Sequence, residues 1–402
     1  MRLIRLLAVG VAIVGLAIVA RPFLHGLSFV VRAVEMQGTV RRVADFDATA
    51  IREREVPIQM PGGSLRARIY EPDGRSTRTV LLVGGLHASG IDEAGLVHIA
   101  RLLASRRLTV VTPDIPELSR FDVSPALTAA IEQAALSVAS DPGLAPDHRI
   151  ALFGLSFSGG FSIVAAGRPA LADRISHVFA LGAHDDLPRV MKYLCTGQEP
   201  FPPGQARIAI NAAGAGSAAS TGPFTRAPDA YGLAVMLLAA ADRVVPAAQA
   251  EPLRDAVREY LRSSETEAAA DKPRGSGDID EALKVRISRL AEPSKTLMRY
   301  VLDRDVVHLG ARLLPFVNGL TSAPALSVSK SPKPAVPVFL LHGVDDNIIP
   351  SVESEYLAED LRGRAPVRVL VSGAVAQFEA ATPIKFGDTM QLASFWGDLL
   401  SR

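Results

Sequence analysis

The stretch from Arg149 to Gly160 (RIALFGLSFSGG) gathers residues that could do chemistry. Ile150 to Phe153 is a short apolar run that reads as a buried parallel strand, and helix-forming residues resume at Phe161. Gly154 to Ser158 must then turn a strand into a helix. A side chain at such a corner is lifted clear of the chain if the residues two before and two after it are very small. Gly154 and Ser158 meet that need about Ser156, and Gly159 and Gly160 let the helix pack closely. Ser156 is therefore the candidate nucleophile, with the Phe157 N–H and the helix N-terminus placed to receive an oxyanion. A register with Ser158 as nucleophile between Ser156 and Gly160 also fits, but only the Ser156 register puts glycine first. A Gly/Ser-rich turn without chemistry is the plain alternative.

The elements around this corner alternate. Val56 to Gln59, the turn at residues 61–63 and Leu65 to Tyr70 read as a hairpin, followed by Thr79 to Val83, apolar on both faces as central parallel strands are. Asp92 is expected to cap a helix with apolar positions Leu96, Ile99, Ala100 and Leu103. Strands at Leu108 to Thr112 and Val178 to Gly182 bracket a helix from Pro125 to Ala139 and the serine corner. Residues 187–335 break the pattern. Tyr231 to Ala241, Pro252 to Leu261, Ile279 to Leu290 and Leu297 to Leu313 read as helices, and Ser327 to Ala335 as an extended lead-in. The strand from Pro337 to Gly343, the helix from Glu353 to Arg362, the strand from Val367 to Ser372 and the helix from Met390 to Leu400 restore the alternation. This is a doubly wound α/β sheet, whose ligands belong at the carboxyl ends of its strands.

At 402 residues, 48% apolar and 21% charged, the chain can bury one large core plus an insertion. A formal net charge of +1 with interspersed signs gives no reason to expect nucleic acid as a partner. The single Cys195 lies on an amphipathic segment and reads as a buried structural thiol. Leu6 to Ala20 is an uninterrupted apolar run between Arg5 and Arg21, a signal peptide or an uncleaved anchor. Ile18, three residues before a cut after Ala20, favours the anchor, so the protein is expected to be membrane-anchored or exported. Arg2 and Arg5 against Arg21, Arg32, Arg41 and Arg42 leave its orientation open. The expected division is an anchor or signal at 1–25, a linker at 26–55, a core at 56–186 and 336–402, and a helical cap at 187–335.

Leu341 to Pro350 (LHGVDDNIIP) resembles the H-G-x-x-D-x-x-V/I-P segment of many α/β hydrolases. The serine corner resembles their G-x-S-x-G elbow, with Ser158 in place of the last glycine, and Gly84 to His87 (GGLH) resembles their oxyanion loop. The resemblance covers about residues 56 to 402, interrupted by the cap, in three ordered motifs. It implies an α/β-hydrolase fold with a helical cap inserted after the sixth strand, and acyl hydrolysis by a serine. Asp346 then matches the triad acid, with Asp345 one residue off the pattern. Gly85 or Leu86 would supply the second oxyanion donor beside Phe157, leaving His87 as a loop side chain. The family also puts a catalytic histidine after the final strand, and here there is none: the last of eight histidines, His342, precedes Asp346. Within Leu370 to Glu379 that position falls on Gln377, whose amide can donate to Asp346 but accepts no proton at useful pH.

Three outcomes follow. The chain is a pseudoenzyme; or it takes its base from elsewhere, from His87, His184 or His308, with Asp185 or Asp186 as other acids; or it departs from active relatives. The expected activity is hydrolysis of a small-molecule acyl or lipid-like ester by Ser156, with Asp346 orienting whatever base exists. The reading from a different class is an anchored protein that binds a hydrophobic or lipid ligand in the cap groove. No metal or dinucleotide cofactor is expected: there is no HExxH, no cysteine pair and no G-x-G-x-x-G after the first strand.

Overall fold

The computed structural model describes residues 20–74, 76, 78–202, 226–269, 281–375 and 385–402. Its strands are β1 (Ile51–Met60), β2 (Gly63–Pro72), β3 (Thr79–Val83), β4 (Thr109–Pro113), β5 (Ile150–Leu155), β6 (Ile175–Leu181), β7 (Val338–Gly343) and β8 (Val367–Ser372). They form one sheet in the order β1-β2-β4-β3-β5-β6-β7-β8. β2 runs antiparallel to β1 and β4, and every other pairing is parallel. The helices of eight or more residues are α1 (residues 20–33), α2 (Ala94–Ala104), α3 (Pro125–Ser140), α4 (Phe157–Ala166), α5 (Leu187–Thr196), α6 (Ala230–Val244), α7 (Ala247–Ala269), α8 (Glu281–Ser288), α9 (Ser294–Leu302), α10 (Val306–Leu313), α11 (Val352–Leu361) and α12 (Phe386–Leu400).

The doubly wound architecture expected from the alternation is present. The central strands are buried on both faces, as their unbroken Val/Leu runs require. Successive residues of β5 feed opposite layers. Ile150 and Leu152 join the layer of α3 and α4, while Ala151 and Phe153 join that of α1, α2 and α12. β3 is flanked by β4 on one side and β5 on the other. The chain therefore reverses direction across the sheet between β3 and β5, which opens a crevice at their carboxyl ends. The helices α5 to α10 all lie between β6 and β7 in the chain, after the sixth strand as expected.

Several local expectations are corrected. β1 begins at Ile51 within the expected linker, hidden in the sequence because its charged residues pair across the edge hairpin: Arg54 with Glu71 at 3.0 Å, Glu55 with Arg66 at 2.8 Å. Glu93, not Asp92, caps α2, accepting from the Gly95 and Leu96 N–H groups, because Asp92 is engaged by Arg66 and Arg68. The single helix expected from Leu297 to Leu313 breaks into α9 and α10 at Arg304, whose φ is +52°, and Asp305 caps the second piece. Val328–Lys330 is a 3₁₀ turn rather than extended.

The apolar run Leu6 to Ala20 lies, except for Ala20, outside the described residues. No helix among the described residues is long and apolar enough to cross a membrane. The continuation, α1, is built into the fold. Phe29 and Val30 are buried, and the Phe29 ring lies 4.2 Å from that of Trp396 on α12. A Cβ on Gly26 would overlap the Ala393 carbonyl oxygen, so the helices meet backbone to backbone. Residues 26–33 are thus core, not linker. Phe29→Ala is expected to cost about 3 kcal/mol or more in chemical denaturation; a change within about 0.5 kcal/mol, as for an exposed position, would contradict this packing.

Candidate active site

Ser156 stands at the junction of β5 and α4 with φ +55° and ψ −133°, a conformation a β-carbon disfavours. Two backbone bonds hold the corner: Ser156 N–H donates to Leu181 O at 2.7 Å, and Gly159 N–H to Ser156 O at 2.9 Å. The small flanking residues have steric causes. A Cβ on Gly154 would overlap the Ser158 carbonyl oxygen and stand 2.8 Å from Gly159 Cα; one on Gly159 would stand 2.9 Å from Ala183 Cβ. Ser158, the serine of the alternative register, lies in the first turn of α4 with its hydroxyl fully buried.

The neighbouring strands bring the other motifs to this corner. Val83 pairs with Gly154, so the loop after β3 runs alongside Ser156, and a Cβ on Gly85 would lie 3.6 Å from Ser156 Cβ. On the other side, Gly182 after β6 has φ +63°. A Cβ there would stand 3.4 Å from Asp346 Oδ2 and 3.9 Å from Ser156 Cα, so Gly182 lies between the serine backbone and the carboxylate. Asp346 Oδ1 accepts from the Ile348 and Ile349 N–H groups, both at 2.9 Å, which leaves Oδ2 on the side of Gly182. Asp345 is exposed, 3.7 Å from Arg226. The strand order, the strained serine corner and the carboxylate turn after β7 together decide the architecture. The chain has the α/β-hydrolase fold.

No family model matches the chain, and no curated protein matches it. Solved structures do. An esterase of Pyrobaculum calidifontis is 14% identical over 95% of this chain and 92% of its own, with a TM-score of 0.43. A putative hydrolase of Legionella pneumophila is 13% identical over 92% and 93%, with a TM-score of 0.49. A putative dienelactone hydrolase of Klebsiella pneumoniae is 13% identical over 88% and 98%, with a TM-score of 0.40. Strand order and corner geometry, rather than these distant likenesses, define the fold.

Ser156, Phe157, Gly85, Leu86 and Asp346 line one cavity of about 500 Å³ at the carboxyl ends of β3, β5, β6 and β7. Leu96, Ile99, Ile348 and Val375 give it an apolar side. Gln377 lies outside the described residues; Val375, two residues earlier, is at the cavity wall. Among the described histidines His87 lines the cavity and the others do not. His87 Nδ1 is 3.2 Å from Ser89 N and 3.6 Å from Oε2 of the buried Glu265 on α7. His184 is packed behind α4, where a Cβ on Gly160 would touch its ring. Burial lowers its pKa, and Nε2 donates to Leu326 O at 2.9 Å. His308 is exposed on α10, stacked on Tyr300 and bonded to Asp305 at 2.6 Å. His342 is structural: Nε2 donates to Ile349 O at 2.8 Å and Nδ1 accepts from Ser354 Oγ at 2.7 Å, bracing the Asp346 turn.

Asp185 and Asp186 belong to a separate buried cluster. Glu353 accepts from both of their N–H groups and from Arg189. Burial pushes Asp185 up to about 7, and Asp186 caps α5. Cys195 is buried on α5 with its thiol pushed up to about 12 by burial, an inert side chain as expected. Tyr231 and Glu265 carried no signal in the sequence. The Tyr231 hydroxyl lies 2.9 Å from Leu86 O and 3.0 Å from Glu265 Oε1, its one proton shared between the two acceptors, and Glu265 Oε2 accepts from Ala88 N–H at 3.0 Å. Two helices between β6 and β7 thus hold the loop beside Ser156.

If the corner is strained by its β-carbon, Ser156→Gly should be more stable than Ser156→Ala by roughly 1 kcal/mol, because glycine alone relaxes a positive φ. Thermal unfolding of the pair checks this, and equal stabilities would remove the strain.

Proposed function

We propose that the protein hydrolyses carboxylic esters with Ser156 as nucleophile. The observation that supports this most directly is the serine held at a positive φ at the wall of a cavity it shares with the Gly85 loop and Asp346. In this reading Ser156 Oγ attacks the acyl carbon. The charge that develops on the carbonyl oxygen is met by the N–H of Phe157 and that of Gly85 or Leu86. The hydroxyl proton passes to His87 Nε2, which requires Nδ1 to release the Ser89 N–H it accepts at 3.2 Å and to carry its own proton toward Glu265 Oε2, 3.6 Å away. The C–O bond to the alkoxy group then breaks, the alcohol leaves with that proton, and water repeats the sequence on the acyl-serine to release the acid. Asp346 adds negative potential across Gly182 that favours the protonated base. The apolar wall suits an acyl or lipid-like substrate.

A second reading, a cavity that binds an apolar ligand without turning it over, is favoured by the sequence, in which no histidine follows Asp346. Hydrolysis of a p-nitrophenyl ester separates the two. Ser156→Ala is expected to abolish turnover, and His87→Gln to lower kcat by about 10²–10⁴ with little change in KM. A wild type without turnover would replace the enzyme reading with the binding one, and His87→Gln without effect on a wild type that turns over would remove His87 as the base.

A further inference from the structure

At the opposite end of the sheet, by the amino ends of β3 and β4, lies a cavity of about 630 Å³ lined by Arg21, Arg78, Arg106, Arg107 and Arg402 around a single side-chain carboxylate, Asp47. That carboxylate is already committed. Its Oδ1 accepts from Ser28 Oγ at 2.7 Å, its Oδ2 meets His25 Nδ1 at 2.5 Å, and it pairs with Arg106. The Arg106 Nε is buried without a hydrogen-bond partner. Arg78 spends one N–H on Leu400 O at 2.8 Å. Burial, and then repulsion from Arg106, lowers the pKa of Arg78, and burial lowers that of Arg106, with Arg107 adding repulsion. Five guanidinium groups outnumber the engaged Asp47 carboxylate and the terminal carboxylate of Arg402, and leave a concave field of positive charge in a chain whose formal net charge is +1.

We propose that this cavity binds a phosphate group. Guanidinium forks match phosphate oxygens two at a time, and converging arginines discriminate a multiply charged tetrahedral anion from chloride. The group could come from a phospholipid headgroup or from a soluble phosphate, and the chain favours the headgroup. Arg21, at the cavity wall, directly follows the apolar run Leu6 to Ala20, so the cavity opens where that run meets the folded core. The site depends on nothing in the esterase reading and lies across the sheet from Ser156.

The test uses the full chain and the double variant Arg107→Asn, Arg402→Gln. Both side chains are exposed, and asparagine tolerates the φ of +63° at position 107. Inorganic phosphate at about ten times half-saturation should raise the wild-type Tm by roughly 2 °C over sodium chloride of equal ionic strength, and the double variant should lose most of that rise. On phosphatidylcholine vesicles with and without phosphatidylglycerol, the anionic lipid should increase wild-type partitioning, and the double variant should reduce that increase about tenfold. A phosphate effect without a phosphatidylglycerol effect upholds the site and assigns it to a soluble phosphate. No rise over chloride, or a rise undiminished in the double variant, overturns the proposal.

Discussion

The site depends on how sharply a chain can turn from a buried strand into a helix without a clash. Ser156 makes that turn at a positive φ, and the space exists because Gly154 and Gly159 leave none of it occupied. Each neighbouring constraint reinforces the corner. The Leu181 carbonyl takes the serine N–H, and the β3 and β5 register sets the Gly84–Leu86 backbone against it. A strained residue persists only where its surroundings over-determine it, and here they do so on three sides. The strain, about 1–3 kcal/mol in general, is small against the burial of the central strands that anchor it.

The second requirement is electrostatic. In the proposed reaction the cavity must present hydrogen-bond donors to a developing oxyanion and keep acceptors from turning toward it. The Gly84–Leu86 loop does not hold itself. Tyr231 and Glu265 fix Leu86 O and Ala88 N from helices more than a hundred residues away in sequence, directing the Leu86 carbonyl to a hydroxyl. The same Glu265 carboxylate lies beside His87, so one buried acid both braces the loop and faces the cavity's imidazole. On the other wall, two backbone N–H groups fix the Asp346 carboxylate, and His342 secures their turn.

What could be read from sequence followed the physics of burial. β3, β5 and β7 are apolar runs that meet a glycine, which makes their type plain; the expected bounds of β3 and β8 match to the residue, whereas β5 runs two residues past the expected Phe153, through Gly154 to Leu155. The serine, the glycine pair and the Asp346 turn were legible because each follows one of those strands, where a small residue or a carboxylate has a local cause. The start of β1 was hidden by charges that pair across the hairpin, and the break at Arg304 left no proline or glycine behind. The part of α1 from residue 26 onward reads as linker, and the part before it as anchor or signal, because its partner, Trp396, lies at the far end of the chain. Tyr231 and Glu265 were illegible for the same reason: a hydrogen bond between residues 88 and 265 has no sequence period.

The central claim is that the corner activates one hydroxyl. Reaction with a fluorophosphonate, followed by peptide mass spectrometry, reads this directly. A single adduct on Ser156, formed much faster than on any other serine and slowed in His87→Gln, is the predicted result. No adduct on Ser156, or one formed at the same rate when the imidazole is removed, would contradict the account.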